Sequence, residues 1–403
     1  MVDLRKGIRL KKRDLALFLL VVIFVPSPYL QTISIIGRLY NYLRLLSAPF
    51  IALMWFMRKG KMSRTWVLIA FLIYGWLTLV TQINHDGFSQ VYTCIIYLIE
   101  SMAFIMLIDM YSAKDLDRTI HVIRVALEVL FWINFISVLY KPGGLYLAIE
   151  TNENYGYFLG MRNNTIEVIL PFLALLLFET YMQRKSKIHV IVCCGAALLT
   201  YVISSSANSL LCVVVILVYA IFALNNKTYK YLKVPIYVAV SGIFTIILAV
   251  LGLQRYFEFF IVQVLGKSGT LTNRVRVWER SIYYIIKKPI IGYGVEATTL
   301  KKMKIFATNS CHNYFLDFLY YGGIVMLVLV AILLFISVRR LYRNNAEKVA
   351  EVIGIGLASY SILWIATPIH RGTLCYMLVF LLLVYKCNYK TAPNYSTIKL
   401  KRR

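Results

Sequence analysis

Two polar clusters in an otherwise apolar chain have the residue types and spacing to do chemistry. One is a run of cations, Arg274, Arg276, Arg280, Lys287 and Lys288, followed by Lys301, Lys302 and Lys304. The other runs from Thr308 through Asn309, Ser310, Cys311 and His312 to Asn313, with Asp317 one helical turn further on. Thr308, Asn309 and Ser310 are each good helix caps, which predicts His312 in the first turn of the helix that follows. There the helix dipole disfavours the imidazolium and keeps the ring neutral, able to accept a proton. The free backbone N–H groups of that turn, with the nearby arginines, suit a phosphate group. A base beside an anion site is one reading and a polar cap at a helix mouth is the other; these residues alone leave the two level.

The elements that would position these groups follow from periodicity. Val275, Trp278, Ile282, Ile285 and Ile286 recur at helical spacing, with Arg276, Arg280 and Lys287 on the other side, which predicts an amphipathic helix in the membrane interface. Thr272 or Asn273 suits its start, and Lys287 and Lys288 before Pro289 suit its end. Residues two apart do not share a helix face, so at most one of Arg274 and Arg276 faces a ligand, and Arg280 is the companion of Arg276 if that is the one. Ile291 to Gly294 reads as a tight turn; Gly292 and Gly294 alone do not make a phosphate loop. Asp317 is placed to orient Asn313 or His312.

Of 403 residues, 60% are hydrophobic and only 15% are charged, which excludes both a soluble globule and a disordered chain. Twelve apolar runs approach the ~20 residues that a spanning helix needs: 15–36, 39–57, 66–82, 90–110, 119–140, 165–182, 189–204, 207–224, 234–253, 313–337, 349–367 and 372–387. The expected fold is therefore an all-α polytopic membrane protein, one integral membrane domain over 1–403, whose long loop 254–312 separates the ninth and tenth spans. Of the 44 basic residues, 28 fall in segments on the side of the two termini, which the positive-inside rule places in the cytoplasm. That asymmetry accounts for most of the net charge of +26 and removes a nucleic-acid partner. The start resembles the first regions of a signal peptide but has no cleavage site, so it reads as an uncleaved span. The 254–312 loop faces outward yet holds ten cations against three acids, a balance suited to an anionic ligand or to anionic headgroups.

Other polar residues in apolar runs are weighed on the same terms. Glu100 and Arg44 read equally as a structural pair and as functional groups, and Arg124 with Glu128, four apart, as a local ion pair. The seven cysteines show no metal-ligand spacing, and His85 with Asp86 lacks a third ligand. His121 and His189 fall on the cytoplasmic side. There is no internal repeat.

The segment 270–324 resembles the O-antigen ligase and polymerase superfamily. The resemblance rests on Arg274 four residues before Trp278, then Lys288, Pro289 and the Gly292–Gly294 turn, then His312 and Asn313 with Leu316, and Tyr321, Gly322, Gly323 and Ile324. A weaker echo is Gly160, Arg162, Asn163 and Asn164 before the sixth span. One feature departs from the family: where members often carry a serine–arginine pair between spans seven and eight, this chain reads Ser204, Ser205, Ser206, Ala207, Asn208, so one phosphate-binding arginine is missing or comes from elsewhere; Arg371, after His370 in the last outer loop, is placed to supply it, and a headgroup contact is the equal alternative.

The resemblance implies a C-type transmembrane glycosyltransferase fold and transfer of a glycan from undecaprenyl diphosphate on the outer leaflet. Inversion at the anomeric carbon, no cofactor and no required metal go with it. A polymerase moves the growing glycan onto the next lipid-linked repeat unit; a ligase moves it to a terminal acceptor. Such a transfer needs a base for the attacking hydroxyl and positive charge on the departing diphosphate. His312 is the expected base, Asn313 and Asp317 its companions in a catalytic set, and Arg274, Arg276, Arg280, Arg162 and Arg371 the candidate diphosphate ligands. The expected partners are the undecaprenyl-diphosphate-linked oligosaccharide, the lipid bilayer of a bacterial cell membrane, and the flippase and chain-length regulator of a polysaccharide-assembly system. A transporter or glycan flippase, the alternative class, predicts related halves and charge at mid-membrane. A non-enzymatic scaffold explains the spans but not Arg274 and His312.

Overall fold

The computed structural model describes residues 12–58, 62–85, 88–147, 155–224, 234–247, 274–305, 308, 310–369 and 372–390. The chain is a helical membrane bundle. Its helices are α1 (Lys12–Phe24), α2 (Pro28–Thr32), α3 (Ser34–Met57), α4 (Arg64–Asn84), α5 (Phe88–Lys114), α6 (Leu116–Tyr140), α7 (Ile166–Gln183), α8 (Ile188–Ile203) and α9 (Ala207–Val218), then α10 (Val234–Thr245), α11 (Arg274–Lys287), α12 (Thr298–Lys304), α13 (Tyr314–Asn344), α14 (Glu347–Ala366) and α15 (Leu374–Lys386). Six of these, α4 to α7, α13 and α14, are long and apolar enough to cross a membrane, and shorter apolar helices stand beside them. The last six residues of the run expected at 234–253 lie outside the described residues.

The run expected at 15–36 is not one helix. Pro26 and Pro28 interrupt it after Phe24, Pro28 starts α2, and Ser27 caps α2 by accepting the Leu30 N–H (3.2 Å). A three-stranded antiparallel sheet, β1 (Tyr146–Leu147), β2 (Tyr155–Tyr157) and β3 (Gly160–Met161), joins α6 to α7 and has no counterpart in the expected elements. Asn134 and Ser137 of α6 hold it by accepting the backbone N–H groups of Leu159 (2.9 Å) and Phe158 (3.3 Å).

Burial identifies the centre of the bundle. Almost every residue of α7 is buried and α14 is nearly as enclosed, whereas α3 and α4 leave Leu46, Phe50, Phe56 and Leu68 exposed, as lipid-facing helices do. α14 packs on α7, α9, α10 and α13, and α15 on α5, α7 and α13. At the end of the bundle away from His312, Asp109 of α5 gathers α3 and α15 by accepting from Trp55 Nε1 (2.8 Å) and pairing with Lys386 (2.5 Å). Arg44 and Glu100 pair at 2.8 Å, joining α3 to α5.

α13 is two helices joined at Gly323, whose φ of 62° and ψ of −162° interrupt the hydrogen-bond ladder. At membrane depth the freed groups need protein partners, and the turn after α11 supplies them. Tyr293 and Gly294 donate N–H to the carbonyls of Tyr320 and Tyr321 (both 2.8 Å), Ile324 donates to the Pro289 carbonyl (2.8 Å), and Trp76 Nε1 of α4 donates to Gly322 (2.8 Å). The approach is close enough to require glycine. A Cβ on Gly323 would lie 2.1 Å from the Ile290 carbonyl oxygen, and one on Gly294 would lie 2.6 Å from Thr81 Cα.

Candidate functional site

α11 settles which arginine faces inward. Val277, Trp278, Ser281 and Ile285 are its buried residues, and Arg274, four before Trp278 and seven before Ser281, lies on that same face. Arg276 and Arg280 are exposed on the other side, Arg280 lying over the rings of Tyr283 (5.7 Å) and Tyr284 (5.8 Å). The four-residue interval between arginine and tryptophan thus places the guanidinium against the protein, and α11 packs on α13. Burial and the positive charge of Arg162 together push the Arg274 pKa below its ordinary value. Arg162, 112 positions away in sequence, is thus near enough for its charge to act on Arg274.

The sheet and the turn after it present Arg162, which is exposed. Asn164 donates its N–H to the Met161 carbonyl (2.8 Å), and Thr165 bonds to the Arg162 carbonyl (3.2 Å) and to Tyr201 of α8 (3.2 Å). The serine-rich turn between α8 and α9, which lacks the expected arginine, bonds to this segment: Ser206 Oγ donates to Asn163 Oδ1 (2.8 Å). On its other side Asn208 Nδ2 donates to Thr367 Oγ1 (2.9 Å), which in sequence is three residues before His370 and four before Arg371. Arg371 lies outside the described residues, as do Thr272 and Asn273, the expected caps of α11.

His312 is not in the first turn of its helix. The cap is Asn313, whose Oδ1 accepts the Leu316 N–H (3.0 Å), so His312 precedes the cap with left-handed backbone (φ 52°) and a half-buried side chain. Left-handed φ at a residue with a Cβ costs about 1–2 kcal/mol and persists where the surroundings impose it. The imposing groups are present on both sides. Asp317, fully buried, accepts the N–H of Cys311 (2.9 Å) on one oxygen and that of Ile369 (3.0 Å) on the other. Asn313, 1% exposed, donates to Thr245 Oγ1 (3.1 Å) and to the Ile365 carbonyl (3.0 Å). Asn313 and Asp317 therefore have their polar atoms engaged by protein.

The basic cluster after α11 serves the protein more than a ligand. Lys301 is buried and donates to Tyr321 Oη (2.6 Å); burial alone would lower its pKa, but Tyr321 and Asp317 outweigh burial and hold it above its ordinary value. Lys304 pairs with buried Glu296, and Lys288 with Asn84. The turn N–H groups of Tyr293 and Gly294 are engaged by α13, which removes them as phosphate donors.

One residue of this network goes unmarked in the sequence. Glu167, in the first turn of α7, is buried and accepts from Tyr314 Oη (3.2 Å), tying the segment after Arg162 to the residue after Asn313. As an acid inside an apolar run it carries the same signal as Glu100. Arg124 and Glu128 do pair, but the pair extends to Glu179 of α7 (2.9 Å from Arg124 Nε).

The chain matches no curated protein in a search of their sequences. Residues 189–331, which hold the serine-rich turn, Arg274, Trp278, the glycine turn, His312 and the Gly323 break but not Arg162, match the family model described as O-antigen ligase, in agreement with the resemblance of 270–324 to the O-antigen ligase and polymerase superfamily.

Proposed function

We propose that the protein polymerises oligosaccharide repeat units carried on undecaprenyl diphosphate at the outer leaflet of a bacterial cell membrane, for capsular or surface polysaccharide or O-antigen. Both termini lie in the cytoplasm in this reading, and residues 254–312 face outward. One observation carries it: Arg274 lies on the inward face of α11, within reach of the charge of Arg162, at the end of the bundle where Asp317, Asn313 and Glu167 fix the segments around His312. His312 takes the proton of an acceptor-sugar hydroxyl, the oxygen bonds to the anomeric carbon, and the carbon–oxygen bond to the diphosphate breaks on the opposite face. The released undecaprenyl diphosphate carries the electron pair, and the two guanidiniums stabilise its charge in place of a metal. Arg162 stands in for the arginine missing after span seven. The flippase and chain-length regulator of the same assembly system are the partners this role requires.

The family's description favours a second reading, ligation to a terminal acceptor. Reconstitution in liposomes with a lipid-diphosphate-linked repeat unit separates the two: lengthening without any other acceptor is expected for a polymerase, and transfer only to an added terminal acceptor for a ligase. Lengthening should be lost in His312→Ala and in Arg274→Ala with the protein still inserted. Full activity in both variants would overturn the site.

A further inference from the structure

At the end of the bundle opposite His312, three residues of metal-ligating type converge from two helices. Glu128 comes from α6, and His189 and Cys193 come from α8, four positions apart and so on one helix face. His189 Nε2 lies 2.7 Å from Glu128 Oε1, and the carboxylate oxygen, imidazole nitrogen and thiol sulfur all lie within 4.8 Å of one another. Among the described residues this is the one such trio.

The surroundings complete what a metal site needs. Arg124 holds the second oxygen of Glu128 and bonds through Nε to Glu179 (2.9 Å), which fixes the carboxylate with one oxygen turned to His189. Cys193 is fully buried, whereas the His189 side chain is 47% exposed, so the trio runs from interior to surface. A cavity of about 230 Å³ opens beside His189, lined also by Arg124, Leu176, Glu179 and Lys185, so the exposed end of the trio is reached from solvent. A mixed nitrogen, oxygen and sulfur set with one open position suits Zn2+ or Co2+ and not Ca2+ or Mg2+, which take oxygen.

We propose that Glu128, His189 and Cys193 bind a divalent transition metal of the Zn2+ type, clamping α6 to α8. Binding converts the Cys193 thiol to a metal-bound thiolate and releases its proton to solvent. The site is remote from His312 and independent of the glycosyl-transfer reading.

The test uses the full chain purified in detergent without a polyhistidine tag, stripped with chelator and titrated with Co2+. The expected result is one Co2+ per chain, with thiolate-to-metal charge transfer in the near ultraviolet and the visible bands of tetrahedral cobalt. Both signals should disappear in Cys193→Ser and in His189→Ala and persist in Cys194→Ser. His189 is half-exposed, so its variant keeps the test valid if Cys193→Ser fails to fold. No saturable binding to the wild-type chain, or charge transfer undiminished in folded Cys193→Ser, would overturn the proposal.

Discussion

Replacing Gly323 by alanine tests whether the break in α13 is built into the fold. The backbone there has φ 62° and ψ −162°, a region that residues with a Cβ occupy at a cost of about 1–3 kcal/mol. The new methyl would also stand 2.1 Å from the Ile290 carbonyl oxygen, well inside contact distance, so the 288–294 turn must move away. Moving it breaks at least the bond from Ile324 N–H to the Pro289 carbonyl, now 2.8 Å, and a buried group left unpaired costs about 1–3 kcal/mol more. The expected destabilisation is about 2–6 kcal/mol, large against the marginal stability of most folds. The assay is the thermal midpoint in detergent, read by loss of the monodisperse peak after heating. Gly195→Ala is the control: it lies in α8 with nothing within 4 Å of the added methyl, and alanine is the better helix former there. Gly323→Ala melting with wild type would refute the account of the turn as the partner of a broken helix.

Three further predictions address the site. His312→Asn keeps a residue that tolerates left-handed φ but removes the base, so turnover should fall by about 10²–10⁴ in a chain that still inserts; equal activity would remove His312 from the chemistry. Arg274→Ala should cost far more activity than Arg276→Ala, because only Arg274 lies on the buried face beside Arg162, and matched losses on kinetic assay would contradict that assignment. Asp317→Asn sets an amide NH2 against the N–H of either Cys311 or Ile369, with an expected loss of about 1–3 kcal/mol in the melt; a neutral effect would mean that neither bond matters.

Local spacing made part of this architecture legible. Arg274 and Trp278 share a face because they are four apart, and six of the twelve apolar runs are helices long and apolar enough to cross a membrane, since apolar length is a property of one segment. What escaped depends on contacts between segments. The nearness of Arg162 to the start of α11 arises from the packing of segments more than a hundred residues apart. Asn313 takes the cap from Thr308, Asn309 and Ser310 because its amide also reaches Thr245 and Ile365, partners that propensity does not register. The loop lysines read as a ligand site by charge, yet Lys301 and Lys304 answer Tyr321 and Glu296 instead. In the first apolar run, Pro26 and Pro28 end α1 at Phe24 although the hydrophobicity continues beyond it.

The clamp between the glycine turn and α13 also limits how this chain can vary in length. Pro289, Tyr293 and Gly294 are matched bond for bond with Ile324, Tyr320 and Tyr321, so one residue added or removed within 289–295 or 320–324 would shift the register of every pairing at once. Between those two anchored stretches runs the segment from Glu296 to Ser310. Insertions and deletions in this part of the chain should therefore collect between α12 and Ser310, and two proteins that share the clamp should differ in loop length there while aligning without gaps on either side.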